Sequence, residues 1–203
     1  MRPDALAAVL DDARRMGLLG PDPVERHISH ARVWAGALEP TSFLDLGSGA
    51  GLPGLVFALE WTAVTGALLD GQVRRAAWLR TAVARLELAE RLHVIEGRAE
   101  DLAHDPELRE TFPLVLARAF GPPAATAECG SGFVSLGGSL SVSEPPGGSD
   151  ARWPDNGLAG LGLEISGQVV HPAGSFVILR KHASLEDQFP RRRNLLLRSP
   201  LWS

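Results

Sequence analysis

A glycine-rich turn is the part of this chain whose residue types could bind a reactive ligand. The segment 43–54 reads FLDLGSGAGLPG, an apolar strand followed by three glycines and the start of a helix. Glycines let the backbone of such a turn approach a ligand closely, and Pro53 suits the first turn of the helix that follows. We therefore expect a nucleotide-shaped cofactor to bind at Gly47, Gly49 and Gly51.

Two aspartates flank this turn. Asp70 closes the second apolar strand, where a carboxylate can accept hydrogen bonds from both hydroxyls of a ribose. Asp45 lies within the first strand, and a buried carboxylate there needs partners. Both residues are candidates for cofactor binding, but Asp70 could instead cap a strand end and Asp45 could accept the backbone N–H groups of the turn. Dinucleotides and methyl donors would use Asp70 equally well.

Apolar periodicity predicts alternating strands and helices that position this turn. Strands are expected at about 42–46, 63–69, 92–96, 113–117, 138–143, 163–170 and 175–179. Helices are expected at about 4–16, 23–37, 52–60 and 72–88, with one more after Phe120 that ends near 134. The segment 145–157, rich in Pro, Gly and Ser, is expected to be a mobile loop. This order predicts an α/β fold, a doubly wound and mostly parallel seven-stranded sheet with a C-terminal antiparallel hairpin.

Length and composition favour one globular domain. The chain has 203 residues, of which 45% are hydrophobic and 22% are charged. We expect a single domain over 1–203, with a helical cap at 1–40 and the core at 41–203. Apolar runs are too short for a membrane span, and early charges exclude a secretory signal, so we expect a cytoplasmic protein with no membrane partner. The single Cys129 has no partner for an internal disulfide.

Positive charge is concentrated near the C-terminus. The whole chain carries −4, whereas the segment 180–198 carries six basic residues against two acidic ones. Such asymmetry is compatible with a phosphate-binding surface on an acidic body, and equally with a solvated tail.

Four sequence blocks together resemble one family. They are FLDLGSGAGLPG, LLD ending at Asp70, GRAED at 97–101 and LARAF at 116–120. The chain is similar, over about residues 24–120, to the bacterial small-subunit ribosomal RNA guanine-N7 methyltransferases, also called the glucose-inhibited division protein B family. Arg26-His27-Ile28 resembles an arginine-histidine element of that family. The resemblance implies a Rossmann-like class I methyltransferase fold.

The resemblance also implies a cofactor, a partner and site residues. The cofactor is S-adenosylmethionine, and the partner is ribosomal RNA or the small ribosomal subunit. The implied donor contacts are Gly47, Leu52, Ala99, Glu100 and Arg118. Arg118 is the expected catalytic residue, able to bind a donor carboxylate or a substrate phosphate, although it could instead pair with Asp101. Arg191 and Arg192 are expected to contact RNA phosphate.

Methyl transfer to guanine N7 needs little from the protein beyond positioning. N7 already carries a free lone pair, so no general base is required. The six histidines are scattered and form no ligand-like group, and we expect no metal.

Two departures from the family pattern keep other functions open. Where the family usually has Asp-Ser after its arginine-histidine element, this chain has His30-Ala31, and Ser141-Val142-Ser143-Glu144 replaces a lysine-glycine pair after strand five. These positions could face the acceptor. The alternatives are a methyltransferase acting on a small molecule or peptide, a non-catalytic donor- or RNA-binding module, and a nicotinamide oxidoreductase.

Overall fold

A computed structural model of the protein describes residues 3–145 and 150–202. Its seven strands are β1 (Ser42–Leu46), β2 (Thr65–Asp70), β3 (Leu92–Glu96), β4 (Phe112–Ala117), β5 (Val134–Glu144), β6 (Leu163–His171) and β7 (Gly174–Lys181). They form one sheet in the order β3-β2-β1-β4-β5-β7-β6. Strands β1 to β5 are parallel, and β7 and β6 add an antiparallel hairpin at one edge. The predicted α/β fold is confirmed.

Eight helices surround the sheet within the described residues. They are α1 (Pro3–Arg15), α2 (Val24–Ala35), α3 (Gly54–Glu60), α4 (Val73–Arg85), α5 (Ala99–Leu102), α6 (Pro123–Ser131), α7 (Asp155–Ala159) and α8 (Arg193–Arg198). Helices α1 to α4 contribute to one apolar cluster and α5 to α8 to another, so both faces of the sheet are covered. In the parts of the chain that the structure describes, no helix combines the length and hydropathy needed to cross a bilayer.

The N-terminal helices share their core with the sheet. Val9 and Leu10 of α1 and Trp34 of α2 are buried in the cluster that also contains α3 and α4. The Trp34 indole stacks on Phe176 of β7 and donates from Nε1 to the Ser141 hydroxyl at 2.8 Å. Helix α2 is therefore fixed to the hairpin side of the sheet. The division into a cap at 1–40 and a core at 41–203 stays a prediction.

Strand β5 and the helix before it differ from the prediction. The helix ends at Ser131, and β5 begins at Val134 instead of near 138. The pairing of β5 with β4 shifts register between Phe112 and Leu114, and Gly137 adopts a φ of +78°. Gly137 and Gly138 therefore lie within an irregular strand.

The segment expected to be a loop at 145–157 is partly helical. Residues 146–149 lie outside the described residues. A 3₁₀ turn covers 150–152 and α7 begins at Asp155, with Trp153 and Leu158 buried. Helices α5, α7 and α8 were not predicted, because elements of four to six residues show no usable periodicity and are stabilised by packing.

Strand register places the functional candidates at one edge of the sheet. Leu46 of β1 pairs with Ala117 of β4, so Gly47 and Arg118 leave neighbouring strands at the same level. Strand order reverses between β1 and β4, since β2 and β3 lie on one side and β5 on the other. Doubly wound sheets bind ligands in the crevice at this point.

Candidate functional site

The glycine turn approaches its neighbours too closely for side chains. Gly47 has a φ of +69°, and a Cβ there would lie 2.6 Å from Cδ2 of Phe120. A Cβ on Gly51 would lie 2.4 Å from Cδ1 of Leu55 in α3, so this glycine lets the helix pack closely. Gly49 has more room, its nearest such neighbour being 3.8 Å away. The absence of a side chain at Gly47 therefore leaves room for Phe120 at the turn, while the absence of one at Gly51 lets α3 pack against the turn.

The two carboxylate oxygens of Asp45 have different surroundings. Oδ2 accepts the Ser48 hydroxyl at 2.5 Å and the Gly54 amide at 2.9 Å. Oδ1 is buried and has no hydrogen-bond partner among the described residues. Burial raises the pKa of Asp45 to about 6, against the opposing effects of these hydrogen bonds. Asp45 therefore caps the turn through Oδ2, and its role in donor binding stays a prediction.

Asp70 is buried and accepts a backbone N–H group of the turn, so it is not a solvated residue at a strand end. Its side chain is 4% exposed. Oδ2 accepts the Gly49 amide and Oδ1 the Gln72 amide, each at 2.9 Å, and Arg75 Nη1 lies 3.8 Å from Oδ2. Each carboxylate oxygen retains a second lone pair, so Asp70 can hold the turn and still accept a hydrogen bond from a ligand.

A cavity of about 160 Å³ opens beside the turn toward α5. Gly47, Ala99 and Glu100 line it, which brings together three of the predicted donor contacts. Helix α8 supplies the outer wall through Arg193 and Leu196. Sequence reasoning missed this wall because nothing local connects residues 193–198 with a turn about 150 positions earlier.

Arg118 follows β4 and is held by a histidine from α2. Its Nη2 donates to Nδ1 of His27 at 2.7 Å, so the proton of this neutral imidazole is on Nε2. Burial and the Arg118 charge lower the pKa of His27. The partner of Arg118 is therefore His27 and not Asp101. The next residue, Ala119, has a φ of +51°, a strained conformation of the kind found at functional sites.

Arg118 lies between a cavity at the glycine turn and two further cavities. A cavity of about 270 Å³ lies on the glycine-turn side, where Gly49 and Leu52 also line it. Cavities of about 440 and 340 Å³ lie on the other side, toward Glu144 at the end of β5, and Arg118 lines both of them. The arrangement can hold one ligand on the glycine turn and a second beside it, with Arg118 between them.

The basic C-terminal segment is partly internal. Arg191 donates from Nε and Nη2 to the two carboxylate oxygens of Glu128 in α6, at 2.9 and 2.8 Å. Lys181 is fully buried, where its Nζ contacts Ser131 and Glu110. Lys181 is off the surface, and the Arg191 side chain is 20% exposed and paired, so the segment presents less positive charge than its sequence suggests.

Arg192 has the exposed position that Arg191 lacks. It caps the N-terminus of α8, and its side chain has no hydrogen bond or ion pair to the residues that the structure describes. The two predicted RNA contacts are therefore unlike: Arg191 anchors the segment to the core, and Arg192 is available to a partner.

Solved structures show the same fold. Cofactor-bound Rv0187 from MTB matches with a TM-score of 0.64 at 20% identity, covering 90% of this chain and 92% of that one. The O-methyltransferase from Bacillus cereus in complex with SAH matches with a TM-score of 0.63 at 16% identity, covering 89% and 92%.

Sequence relatives are more specific. The ribosomal RNA small subunit methyltransferase G of Symbiobacterium thermophilum is 31% identical over 197 residues, which cover 89% of this chain and 80% of that protein. That of Moorella thermoacetica is 31% identical over 169 residues, covering 78% and 68%. A family model described as GidB, rRNA small subunit methyltransferase G, matches residues 20–142. With more than half of its length matched, the chain belongs to the rRNA small subunit methyltransferase G family.

Proposed function

We propose that this protein transfers the methyl group of S-adenosylmethionine to N7 of a guanine in small-subunit ribosomal RNA. The observation that carries the proposal is the position of Arg118, which borders the glycine-turn cleft on one side and two open cavities on the other. Membership of the family supplies the chemical class of the acceptor. We further propose that the protein acts in the cytoplasm on the small ribosomal subunit or its RNA.

The residues at the turn fit the methyl donor better than a nicotinamide dinucleotide. The unpartnered Oδ1 of Asp45 is suited to the ammonium of the donor's amino-acid end, a group that nicotinamide dinucleotides lack. The cavity beside Ala99 and Glu100 is suited to adenine, and Asp70 keeps lone pairs for the ribose hydroxyls.

The chain contributes positioning to the reaction. When bound, the donor supplies an electrophilic methyl carbon, and guanine N7 supplies the electron pair. Arg118 is placed to hold a carboxylate or phosphate between the two ligands, and His27 fixes the orientation of its guanidinium. Because N7 carries no proton, the chain needs no base beside it, and alignment of the two ligands provides the acceleration.

The RNA-binding role is proposed for the exposed arginines of the C-terminal segment. Arg192 and Arg193 are both exposed, and Arg193 also borders the donor cavity. Arg191 holds them in place through Glu128. Phosphate contacts of this kind supply affinity that weakens with salt.

We expect the affinity for the donor to fall about tenfold between pH 7 and pH 5, because Asp45 must be ionised to bind an ammonium and its pKa is about 6. Calorimetric titration with S-adenosylhomocysteine, which carries the same ammonium, measures this dependence. Asp45→Asn should bind weakly and with a flat profile over the same range. A profile equally steep in both proteins would contradict the assignment.

The ionisation of Asp45 should make the ligand-free protein less stable as the pH rises, whereas it makes donor binding stronger. A carboxyl whose pKa is raised from 3.8 to about 6 on folding takes up a proton more readily in the folded state. Its stabilising contribution is complete below pH 3.8 and is lost as the pH rises through about 6. We expect Asp45→Asn to lack this loss, as urea unfolding across the range will measure.

We expect Gly47→Ala to weaken donor binding about tenfold relative to Gly49→Ala. Both residues have positive φ values, so both variants carry similar backbone strain. Only at position 47 would the new methyl group meet Phe120, at 2.6 Å, on the wall of the donor cavity. Titration with S-adenosylhomocysteine compares the two variants, and equal affinities would remove Gly47 from the binding surface.

The function is tested by transfer of a labelled methyl group to unmethylated small ribosomal subunits, naked ribosomal RNA and a small-molecule extract. Chemical cleavage at N7-methylguanine identifies the modified base. Label and cleavage at one guanine, absent from RNA made with 7-deazaguanosine, are the expected result. Label only in the extract would indicate a small-molecule acceptor, and donor binding without transfer anywhere would indicate a non-catalytic module.

A further inference from the structure

Glu144 is an acidic side chain in the part of the site that faces the acceptor. It is the last residue of β5, and Val142 of that strand pairs with Ala117, the residue before Arg118. Glu144 lines the same two cavities, of about 440 and 340 Å³, that Arg118 lines away from the glycine turn. Its side chain is only 9% exposed. A carboxylate in such a position requires compensation.

Two neighbours hold this carboxylate in one orientation. Arg152 donates from Nη1 to Oε2 at 2.5 Å, and Trp153 donates from Nε1 to Oε1 at 3.2 Å. The Trp153 ring is buried, so the donor of the hydrogen bond to Oε1 is fixed by packing in the core. Each oxygen accepts one hydrogen bond from the protein and keeps a free lone pair. The carboxylate is therefore held through both oxygens, and each oxygen can accept one further hydrogen bond.

Guanine is the one standard base whose Watson–Crick edge presents two adjacent donors with a carboxylate's spacing, N1–H and the 2-amino group. Adenine has an acceptor at N1 and no 2-amino group, and uracil has a single N–H on that edge. Bases that are taken out of a stack for chemistry are read by hydrogen bonds to this edge. N7 lies on the opposite side of the purine, so a guanine held at its Watson–Crick edge leaves N7 free to face the donor.

We propose that Glu144 selects the acceptor base by accepting hydrogen bonds from N1–H and the 2-amino group of guanine. This inference rests on the proposed function, and it assigns a role to a residue of the stretch 141–144, where the family usually has a lysine-glycine pair. Arg152 balances the negative charge of Glu144 through their ion pair. Arg118 remains free for a carboxylate or phosphate.

The experiment pairs an enzyme variant with a substrate variant. Inosine retains N1–H, O6 and N7 and lacks the 2-amino group, so an RNA with inosine at the methylated position removes one of the two proposed contacts. For the wild-type protein, we expect inosine to lower kcat/KM by about 10-fold or more, the effect of a lost hydrogen bond to a charged group. In Glu144→Gln, transfer to guanine should fall by a similar factor, and inosine should cost little more.

A purely structural role for Glu144 gives a different pattern. The fold-losses in kcat/KM caused by Glu144→Gln and by inosine would then multiply in the combined experiment, and this result would overturn the inference. A wild-type protein that methylates inosine RNA as well as guanine RNA would overturn it too. Arg152→Gln is the matched control, because it removes the same ion pair but keeps the carboxylate. It should still discriminate against inosine, and the loss of discrimination in this variant would also count against the inference. Failure of the wild-type protein to methylate the guanine RNA would instead reject the proposed function.

Discussion

Arg118→Met is expected to lower methyl transfer by about 100-fold while the protein remains folded. Methionine keeps an unbranched side chain and removes the charged guanidinium. A charged group that loses a bidentate partner costs about 1.5–3 kcal/mol in the affinity for that partner. The partner is either the donor carboxylate or an RNA phosphate, since Arg118 borders the space for both ligands. Donor affinity by calorimetry and the KM for RNA separate the two possibilities.

Arg32→Met is the control for this experiment. Arg32 lies in α2, the helix whose His27 contacts Arg118. Its side chain is about half exposed and pairs with Glu60 at 2.8 Å. Surface pairs of this kind contribute little, so the control should retain wild-type transfer. If Arg118→Met changed neither the rate of methyl transfer, nor donor affinity, nor the KM for RNA, Arg118 would be a structural partner of His27 and no more.

The donor side of the site was predictable because its residues follow strands that the sequence marks clearly. A parallel sheet brings the ends of its strands to one edge, so Gly47, Asp70 and Arg118 had to be near one another once the strands were recognised. Of the two roles weighed for Asp45, turn capping has a counterpart in the contacts of Oδ2, and donor binding stays a prediction. Local pattern and strand order together were enough here.

The contacts that sequence could not supply are those between distant segments. His27 and Arg118 are 91 residues apart, and their hydrogen bond depends on where α2 packs. Arg191 and Glu128 are 63 residues apart, and Glu128 lies in a helix whose sequence gives no sign of a partner. Charge counted along the chain treats Lys181 and Arg191 as surface residues, whereas burial decides which charges a partner can reach.

Arg191→Ala is expected to lower the free energy of unfolding by about 3 kcal/mol, whereas Arg192→Ala should change it by less than about 0.5 kcal/mol. The carboxylate of Glu128 is 1% exposed. Without the Arg191 side chain, its one hydrogen bond from the described residues would be the backbone amide of residue 191, at 2.7 Å. Arg192 is exposed and makes no side-chain contact in the described chain. Urea unfolding measures both values.

The same two variants separate anchoring from RNA binding. Arg192→Ala should weaken RNA binding and reduce the slope of log affinity against log salt by about one, as the loss of one phosphate contact requires. Replacing the ion pair with apolar residues, as Arg191→Met with Glu128→Leu, should recover much of the lost stability, because the cost comes from an unpaired buried charge and not from the absence of a salt bridge. If that double variant is stable and still methylates RNA at the wild-type rate, Arg191 acts only as an anchor. A double variant that is stable but impaired in RNA binding would instead return Arg191 to the RNA-binding surface.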